Sequence, residues 1–148
     1  MTPSPCEAPR YVLWEITLRC NLRCAHCAAC AGTQRGNELS TDEALALCDE
    51  LADLGVPAVA LMGGEPLIRR DWPDLTRRLR ERRVEVGLVT NGWAFDDDVA
   101  RQIVDLGICQ VGTSLDAADP AVHDGIRGRA GAHGRAMDLI RRLGEMPL

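Results

Sequence analysis

The sequence predicts an α/β fold in which four strands alternate with four helices. Four short runs of β-branched and other apolar residues recur along the chain, and a segment with helical signals follows each of them. This alternation is typical of a parallel sheet or barrel covered by helices, and right-handed crossovers place all four strand ends at one edge. Distinctive polar or glycine-rich segments follow those ends, which is where βα folds build their sites.

The first predicted strand covers residues 11–18 and leads into a cysteine-rich loop. Its β-branched and aromatic residues are typical of a strand. Ser40 and Glu43 form a capping-box pattern that begins the first helix, and Gly55 ends that helix. A short apolar run at 56–62 then predicts the second strand, buried on both faces.

The remaining elements continue the alternation to the end of the chain. Asp71 is the predicted N-cap of the second helix, and Pro73 falls in its first turn, where an N–H is not needed. Two strands and two helices follow by the same signals, at residues 84–90, 96–106, 108–115 and 133–143. Residues 1–10 form a loose segment, and residues 11–148 form one domain.

Composition and charge exclude several classes of protein. The chain has 148 residues and 46% hydrophobic content, which suffices for one domain with its own core. The net charge of −5 is spread along the chain, so no basic stripe indicates nucleic acid or an anionic membrane. The N-terminus lacks the apolar segment of a secretory signal, and no apolar run is long enough to span a bilayer. We therefore expect a cytoplasmic protein without nucleic acid or membrane partners.

Seven cysteines occur in this chain, and Cys20, Cys24 and Cys27 crowd into eight residues. In a reducing compartment such a cluster indicates a metal site rather than disulfides. Three thiolates on one short loop would reach three irons of a cubane and leave the fourth iron without a protein ligand. The spacing therefore predicts an open iron-sulfur cluster.

A closed metal site is the alternative to an open cluster. Cys30 continues the spacing as CxxCxxC, so a fourth thiolate would close a zinc site or a ferredoxin-like cluster. The βα repeats exceed what a zinc knuckle or a small ferredoxin needs, and we interpret Cys30 as unligated. Cys6, Cys48 and Cys109 lie in a tail, a helix and a strand, and we assign them no role.

The spacing Cys20-x-x-x-Cys24-x-x-Cys27 resembles the signature of the radical S-adenosylmethionine (SAM) superfamily, and it follows the first strand as in that family. Three more segments fall in the family's order: GGEP at 63–66, TNG at 90–92 and SLD at 114–116. The resemblance implies a partial (βα) barrel, of which about four of the usual six units are present. We therefore expect the N-terminal part of such a barrel, truncated on its C-terminal side.

The resemblance implies that the three cysteines hold a [4Fe-4S] cluster and that the GGEP loop receives the methionine amino group of SAM. In this loop of Gly63, Gly64, Glu65 and Pro66, the glycines would let backbone carbonyls approach a ligand, and Glu65 would accept a hydrogen bond from an ammonium. An ordinary βα turn is the alternative interpretation, because Gly-Gly is common in such turns.

Polar residues at the next two strand ends are further candidates for binding SAM. The family places groups like Ser114 and Asp116 against the ribose and carboxylate of SAM, and Thr90 and Asn91 hold a similar rim position. These segments equally suit strand-to-loop turns whose side chains bond to their own backbone. His26, before the last cysteine, is interpreted as a packing element.

Residues 123–128 resemble the HDxxRG stretch of the family's SPASM-like branch, which modifies peptides and natural products. All 17 basic residues of the chain are arginine, so a single arginine carries little weight. We therefore leave Arg127 out of the candidate site.

The resemblance implies a radical SAM enzyme that cleaves SAM reductively to a 5'-deoxyadenosyl radical, which then abstracts hydrogen from a substrate, a peptide being one candidate. This cleavage requires no acid-base pair, so no catalytic side chain is assigned. The implied partners are a flavodoxin- or ferredoxin-type reductant and a second chain that completes the barrel. The alternatives are a non-catalytic iron-sulfur or zinc protein and a SAM-binding fragment or partner subunit without turnover.

Overall fold

The computed structural model describes residues 9–147. Within them, four strands and five α-helices alternate along the chain, with two helices after the last strand. The elements are β1 (Val12–Thr17), α1 (Thr41–Asp53), β2 (Ala58–Gly63), α2 (Trp72–Glu81), β3 (Glu85–Thr90), α3 (Asp97–Asp105), β4 (Gln110–Thr113), α4 (Pro120–Arg127) and α5 (Ala132–Leu143).

One parallel sheet with the order β1-β2-β3-β4 organises the domain. Leu61 on β2 lies opposite Trp14 on β1 and opposite Leu88 on β3, so these side chains share one face. Residues of that face join the helices in a single core that includes Leu79 of α2 and Ile103 of α3. The predicted α/β fold of four parallel βα units is confirmed, and the carboxyl ends of all four strands lie at one edge.

The local signals that begin and end α1 also agree with the sequence. Ser40 and Glu43 form the reciprocal capping box, and Gly55 has φ 81°, a conformation that favours glycine. The interior of the helix contributes Cys48 to the core, and burial raises the pKa of that thiol to about 11. Cys48 therefore packs as a small hydrophobe, whereas Cys109 is exposed and Cys6 lies outside the described residues.

Helix α4 is absent from the sequence-based prediction, although its signals are present. Asp119 accepts hydrogen bonds from the N–H groups of Ala121 and Val122, Pro120 occupies the first helical position, and Gly128 ends the helix with φ 66°. Because the helix has only eight residues, its apolar periodicity is too short to stand out.

Asp71 is a second difference, because it does not cap α2 with its side chain. Its φ and ψ of −94° and 9° are not the extended conformation that a capping residue adopts. The carboxylate instead accepts hydrogen bonds from Arg69 and from the Thr41 hydroxyl, which links the starts of α1 and α2.

The predicted loose segment at 1–10 falls almost entirely outside the described residues. Across residues 9–147, none of the helices combines the length and the apolar character that crossing a membrane requires.

Candidate functional site

A cavity of about 340 Å³ opens at the carboxyl edge of the sheet, and this volume falls within the range typical of small-ligand pockets. Residues at or next to the ends of all four strands line it. Most of the sequence-predicted site residues are among them: Cys20, Cys24, Cys27, Gly63, Gly64, Asn91 and Ser114. The topology therefore brings together residues that are far apart in the chain.

Three cysteines of the loop line this cavity, and backbone N–H groups donate to the sulfurs of two of them. The N–H of Leu22 lies 3.4 Å from Cys20 Sγ, and that of Ala31 lies 3.3 Å from Cys27 Sγ. Burial raises the pKa of the Cys20 thiol, so this sulfur needs a nearby positive charge to become a thiolate at neutral pH. A bound metal centre supplies that charge.

The three cysteines of the loop line one cavity without converging on a single point. Within residues 9–147, no three His, Cys, Asp or Glu side chains come close enough together to hold one metal ion. A cubane binds each thiolate at a different iron, so its ligands surround a volume instead of meeting at a point. Cys30 is exposed and does not line the cavity, whereas Cys20, Cys24 and Cys27 do.

Gly63 and Gly64 are required by the close approach of the chain that leaves β1. A Cβ on Gly63 would lie 2.2 Å from the Thr17 carbonyl oxygen, and one on Gly64 would lie 2.3 Å from the Arg19 carbonyl oxygen. The N–H of Gly64 donates to Thr17 O at 2.7 Å. The Cβ position of each glycine is therefore occupied by the backbone of the segment that leaves β1, while both glycines also line the cavity. This packing is a second reason for glycine here, and the expected approach of a ligand stays a prediction.

The Glu65 side chain is fully buried and does not line the cavity. Its carboxylate accepts hydrogen bonds from the Thr90 hydroxyl, the Asn91 N–H and the Leu67 N–H, at 2.8 to 3.0 Å. Burial raises the pKa of this carboxyl, although all three donors oppose that shift. Glu65 therefore ties the end of β2 to the end of β3, and Pro66 begins a 3-10 turn. The expected hydrogen bond from an ammonium to Glu65 stays a prediction.

Asn91 links this buried carboxylate to the cysteine loop. Its side-chain amide donates to Asn21 Oδ1 at 2.8 Å and lies 3.8 Å from Cys20 Sγ, and its own Oδ1 accepts from the Trp93 N–H. Part of Asn91 also lines the cavity. The residue orients the first cysteine of the loop from the end of β3.

Asp116 does not line the cavity but holds Arg127, which does. Arg127 Nε lies 2.6 Å from Asp116 Oδ2, and the other side of the carboxylate accepts from Nη2 at 2.9 Å. The remaining Nη1 lies 3.7 Å from Cys24 Sγ. Arg127 is therefore a site residue that the sequence reasoning omitted, although the HDxxRG stretch was a signal for it.

The rest of the HDxxRG stretch fastens α4 to the cysteine loop and to α5. Buried His123 accepts a hydrogen bond from the Asp116 N–H, and burial lowers the pKa of its imidazole. Asp124 accepts from the N–H groups at the start of α5. Gly128 lies so close to the loop that a Cβ there would be 2.4 Å from the Arg23 carbonyl oxygen.

Replacing Gly64 by alanine tests the close approach to the chain leaving β1. The new Cβ would meet the Arg19 carbonyl oxygen, so we expect Gly64→Ala to lower the free energy of unfolding by about 1–3 kcal/mol or more. Gly36→Ala is the matched control, because nothing lies within 4 Å of its Cβ position, and it should change stability by less than about 0.5 kcal/mol. Equal stability of the two variants in urea unfolding would contradict the contact.

Replacing Glu65 by glutamine tests the buried carboxylate. In either orientation the new NH₂ group faces a backbone N–H, of Asn91 or of Leu67. We expect Glu65→Gln to destabilise the fold by about 1–3 kcal/mol at neutral pH, measured by urea unfolding. Glu50→Gln, at an exposed position on α1, should be close to neutral. An unaffected Glu65→Gln variant would show that the carboxylate is not needed for the fold.

Two relatives of known function resemble the chain over nearly its whole length. It is 41% identical over 135 residues to Fe-coproporphyrin III synthase of Methanosarcina barkeri, covering 90% of this chain and 34% of that protein. It is 34% identical over 146 residues to PqqA peptide cyclase of Granulibacter bethesdensis, covering 98% of this chain and 39% of that protein. The chain thus spans little more than a third of the length of these relatives.

The fold is also found in the crystal structure of Streptococcus suis SuiB bound to precursor peptide SuiA. The TM-score is 0.80 at 20% sequence identity, and the match covers 94% of this chain and 31% of SuiB. The family profile described as the Radical SAM superfamily matches residues 14–147. Members of this superfamily use a [4Fe-4S] cluster and SAM. The chain, with its CxxxCxxC loop at the carboxyl edge of four parallel strands, belongs to the radical SAM superfamily.

Proposed function

We propose that this chain binds a [4Fe-4S] cluster through Cys20, Cys24 and Cys27 and holds SAM beside it for reductive cleavage. The observation that carries the proposal is the single cavity in which the three cysteines meet the ends of all four strands. When bound, the cluster supplies the electron that splits a carbon-sulfur bond of SAM and releases the 5'-deoxyadenosyl radical. Such a radical abstracts hydrogen from a substrate.

The residues in and around the cavity divide into those that would contact SAM and those that would position the contacting residues. Arg127 carries a guanidinium in the wall beside Cys24, which suits the carboxylate of SAM, and the Ser114 hydroxyl lies in the same cavity. The backbone of Gly63 and Gly64 forms the opposite wall. Among the positioning residues we place Glu65, Pro66, Asn91 and Asp116, of which Asn91 also reaches the cavity.

A peptide is the substrate class that we propose for the whole protein. Support comes from one relative, the PqqA peptide cyclase of Granulibacter bethesdensis, and from the HDxxRG stretch, of which Arg127 lines the cavity. A low-potential flavodoxin or ferredoxin and a cytoplasmic location belong to the same proposal, because the cluster needs reduced cysteines and a source of electrons.

A tetrapyrrole is the second candidate substrate, and one observation favours it. The identity to Fe-coproporphyrin III synthase is 41%, which is higher than the 34% to PqqA peptide cyclase.

Electron paramagnetic resonance of the anaerobically reconstituted and reduced chain tests the cofactor assignment. We expect a [4Fe-4S]⁺ signal that shifts on addition of SAM, because the fourth iron is free to bind it. Cys24→Ala should abolish the signal, whereas Cys30→Ala should keep both the signal and its shift, since Cys30 is exposed and outside the cavity. Loss of the cluster in Cys30→Ala, or a signal that ignores SAM, would favour a closed site instead.

Titration with iron-coproporphyrin III separates the two substrate classes. If the substrate is a peptide, we expect no shift of the Soret band on addition of the chain, and we expect synthetic peptides to raise the rate of 5'-deoxyadenosine formation. A saturable Soret shift with no effect of any peptide would support the tetrapyrrole and contradict the peptide. Albumin, which binds haem, is the positive control for the optical assay. The Cys24→Ala variant is the negative control for the cleavage assay.

A further inference from the structure

A cationic patch lies beside the cysteine loop and outside the cavity. We define this patch as Arg23, Arg129 and Arg135 together with Trp93. The guanidinium carbon of Arg129 lies 3.6 Å from the centre of the Trp93 ring, and that of Arg135 lies 5.5 Å from it. All three arginines are exposed, and no residue of the patch lines the cavity.

Two of the three positive charges are fixed directly on the cysteine loop. Arg23 Nη1 donates to the carbonyl oxygens of Cys20 and Leu22, both at 3.2 Å. Arg129 Nη1 donates to the carbonyl oxygen of Asn21 at 2.9 Å. The guanidinium groups are therefore held within one or two residues of a proposed cluster ligand, on a surface that leaves the cavity open.

Within residues 9–147, nine of the 17 arginines form no ion pair, and the patch gathers three of these nine beside the cysteine loop. Ion pairs with aspartate neutralise arginines on α2, α3, α4 and α5. In the described part of the chain, by contrast, no carboxylate lies within 4 Å of Arg23, Arg129 or Arg135. The chain as a whole carries a net charge of −5, so the patch is a local positive region that orients an acidic partner.

We propose that this patch binds an acidic one-electron carrier protein of the flavodoxin or ferredoxin class, which reduces the cluster. The inference rests on the proposed function. One electron leaves the reduced carrier and enters the cluster, and no covalent bond forms or breaks in that step. The carrier docks next to Cys20 while SAM and substrate occupy the cavity, so reduction and substrate binding use different surfaces. An acidic peptide substrate fits the patch less well, because its reacting residue must reach a cavity that the patch does not line.

The chemistry of the patch suits a protein interface. Arginine and tryptophan are the residue types that most often dominate binding energy at interfaces. Here the Trp93 ring and the loop carbonyls already hold Arg129 in place, so little side-chain entropy is lost when a carboxylate of the partner binds.

The first test measures binding of an acidic flavodoxin to the chain without its cluster, by calorimetry at low salt. We expect the double variant Arg129→Glu/Arg135→Glu to raise Kd by about tenfold or more. Arg10→Glu/Arg83→Glu is the matched control with the same change in net charge. These two exposed arginines precede β1 and β3, at the opposite edge of the sheet, and their reversal should change Kd by less than about twofold. Equal weakening by both pairs would overturn the proposal.

A charge-conserving variant separates docking from structure. Arg129→Lys/Arg135→Lys keeps both charges but loses the planar guanidinium on the ring and on Asn21 O, so Kd should stay within about threefold of the original. If the lysine pair binds as weakly as the glutamate pair, the arginines act through the fold and the proposal fails. Competition by an acidic peptide substrate that blocks flavodoxin binding at equal affinity would assign the patch to the substrate instead.

Electron transfer to the reconstituted cluster provides a second readout. We expect Arg129→Glu/Arg135→Glu to slow reduction by flavodoxin about tenfold and to leave reduction by dithionite unchanged, because a small reductant needs no docking surface. Slowing of both reactions would contradict the docking role. If dithionite yields no reduced cluster in the original chain, the proposed function fails, and the binding measurement still decides whether the patch recognises an acidic carrier.

Discussion

The buried carboxylate of Glu65 is the interaction on which the site depends. It lies under the carboxyl edge of the sheet, where it accepts hydrogen bonds from the end of β3 and from the turn that follows β2. Asn91, positioned by one of these bonds, reaches across to Asn21 and Cys20. A carboxylate without these donors would be costly to bury, so the strand ends and the first cysteine are held in one geometry.

The second constraint is the close approach of backbones around the cysteine loop. On one side, Gly63 and Gly64 lie against the carbonyls of Thr17 and Arg19, and on the other side Gly128 lies against the carbonyl of Arg23. Any side chain at these glycines would push the loop away from β2 or from α4. Three glycine contacts therefore hold the loop between the end of β2 and the end of α4, and the three cysteines of the loop line the cavity.

Arg127 connects the cysteine loop to the chemistry that we propose. The Asp116 carboxylate contacts Nε and Nη2 of the Arg127 guanidinium. The third nitrogen, Nη1, lies beside Cys24 Sγ, and Arg127 lines the cavity. Because hydrogen bonds to cluster sulfurs influence the reduction potential of iron-sulfur centres, one residue would serve both the cluster and a ligand carboxylate. The cationic patch lies outside this wall, so the surface that we propose for electron supply is separate from the cavity that we propose for SAM.

Sequence periodicity and capping signals determined the α/β class, the four strands and the edge of the sheet that carries the cavity. Motif spacing determined which three cysteines lie in the loop after β1. These features depend on neighbours within one turn or one strand. The short α4, the side-chain role of Asp71 and the burial of Glu65 were decided only by the tertiary structure. The Glu65 carboxylate could have pointed at a ligand, and only the neighbouring strand shows that Thr90 and Asn91 supply its donors. Likewise, the sequence does not distinguish the 17 arginines from one another. Arg127 in the cavity wall and Arg129 on the patch are distinguished only by their contacts with Cys24 and Asn21, each more than 100 residues away in the chain. Signals between neighbouring residues can be read from the sequence. The partner of a buried charge, by contrast, depends on which distant segments pack together.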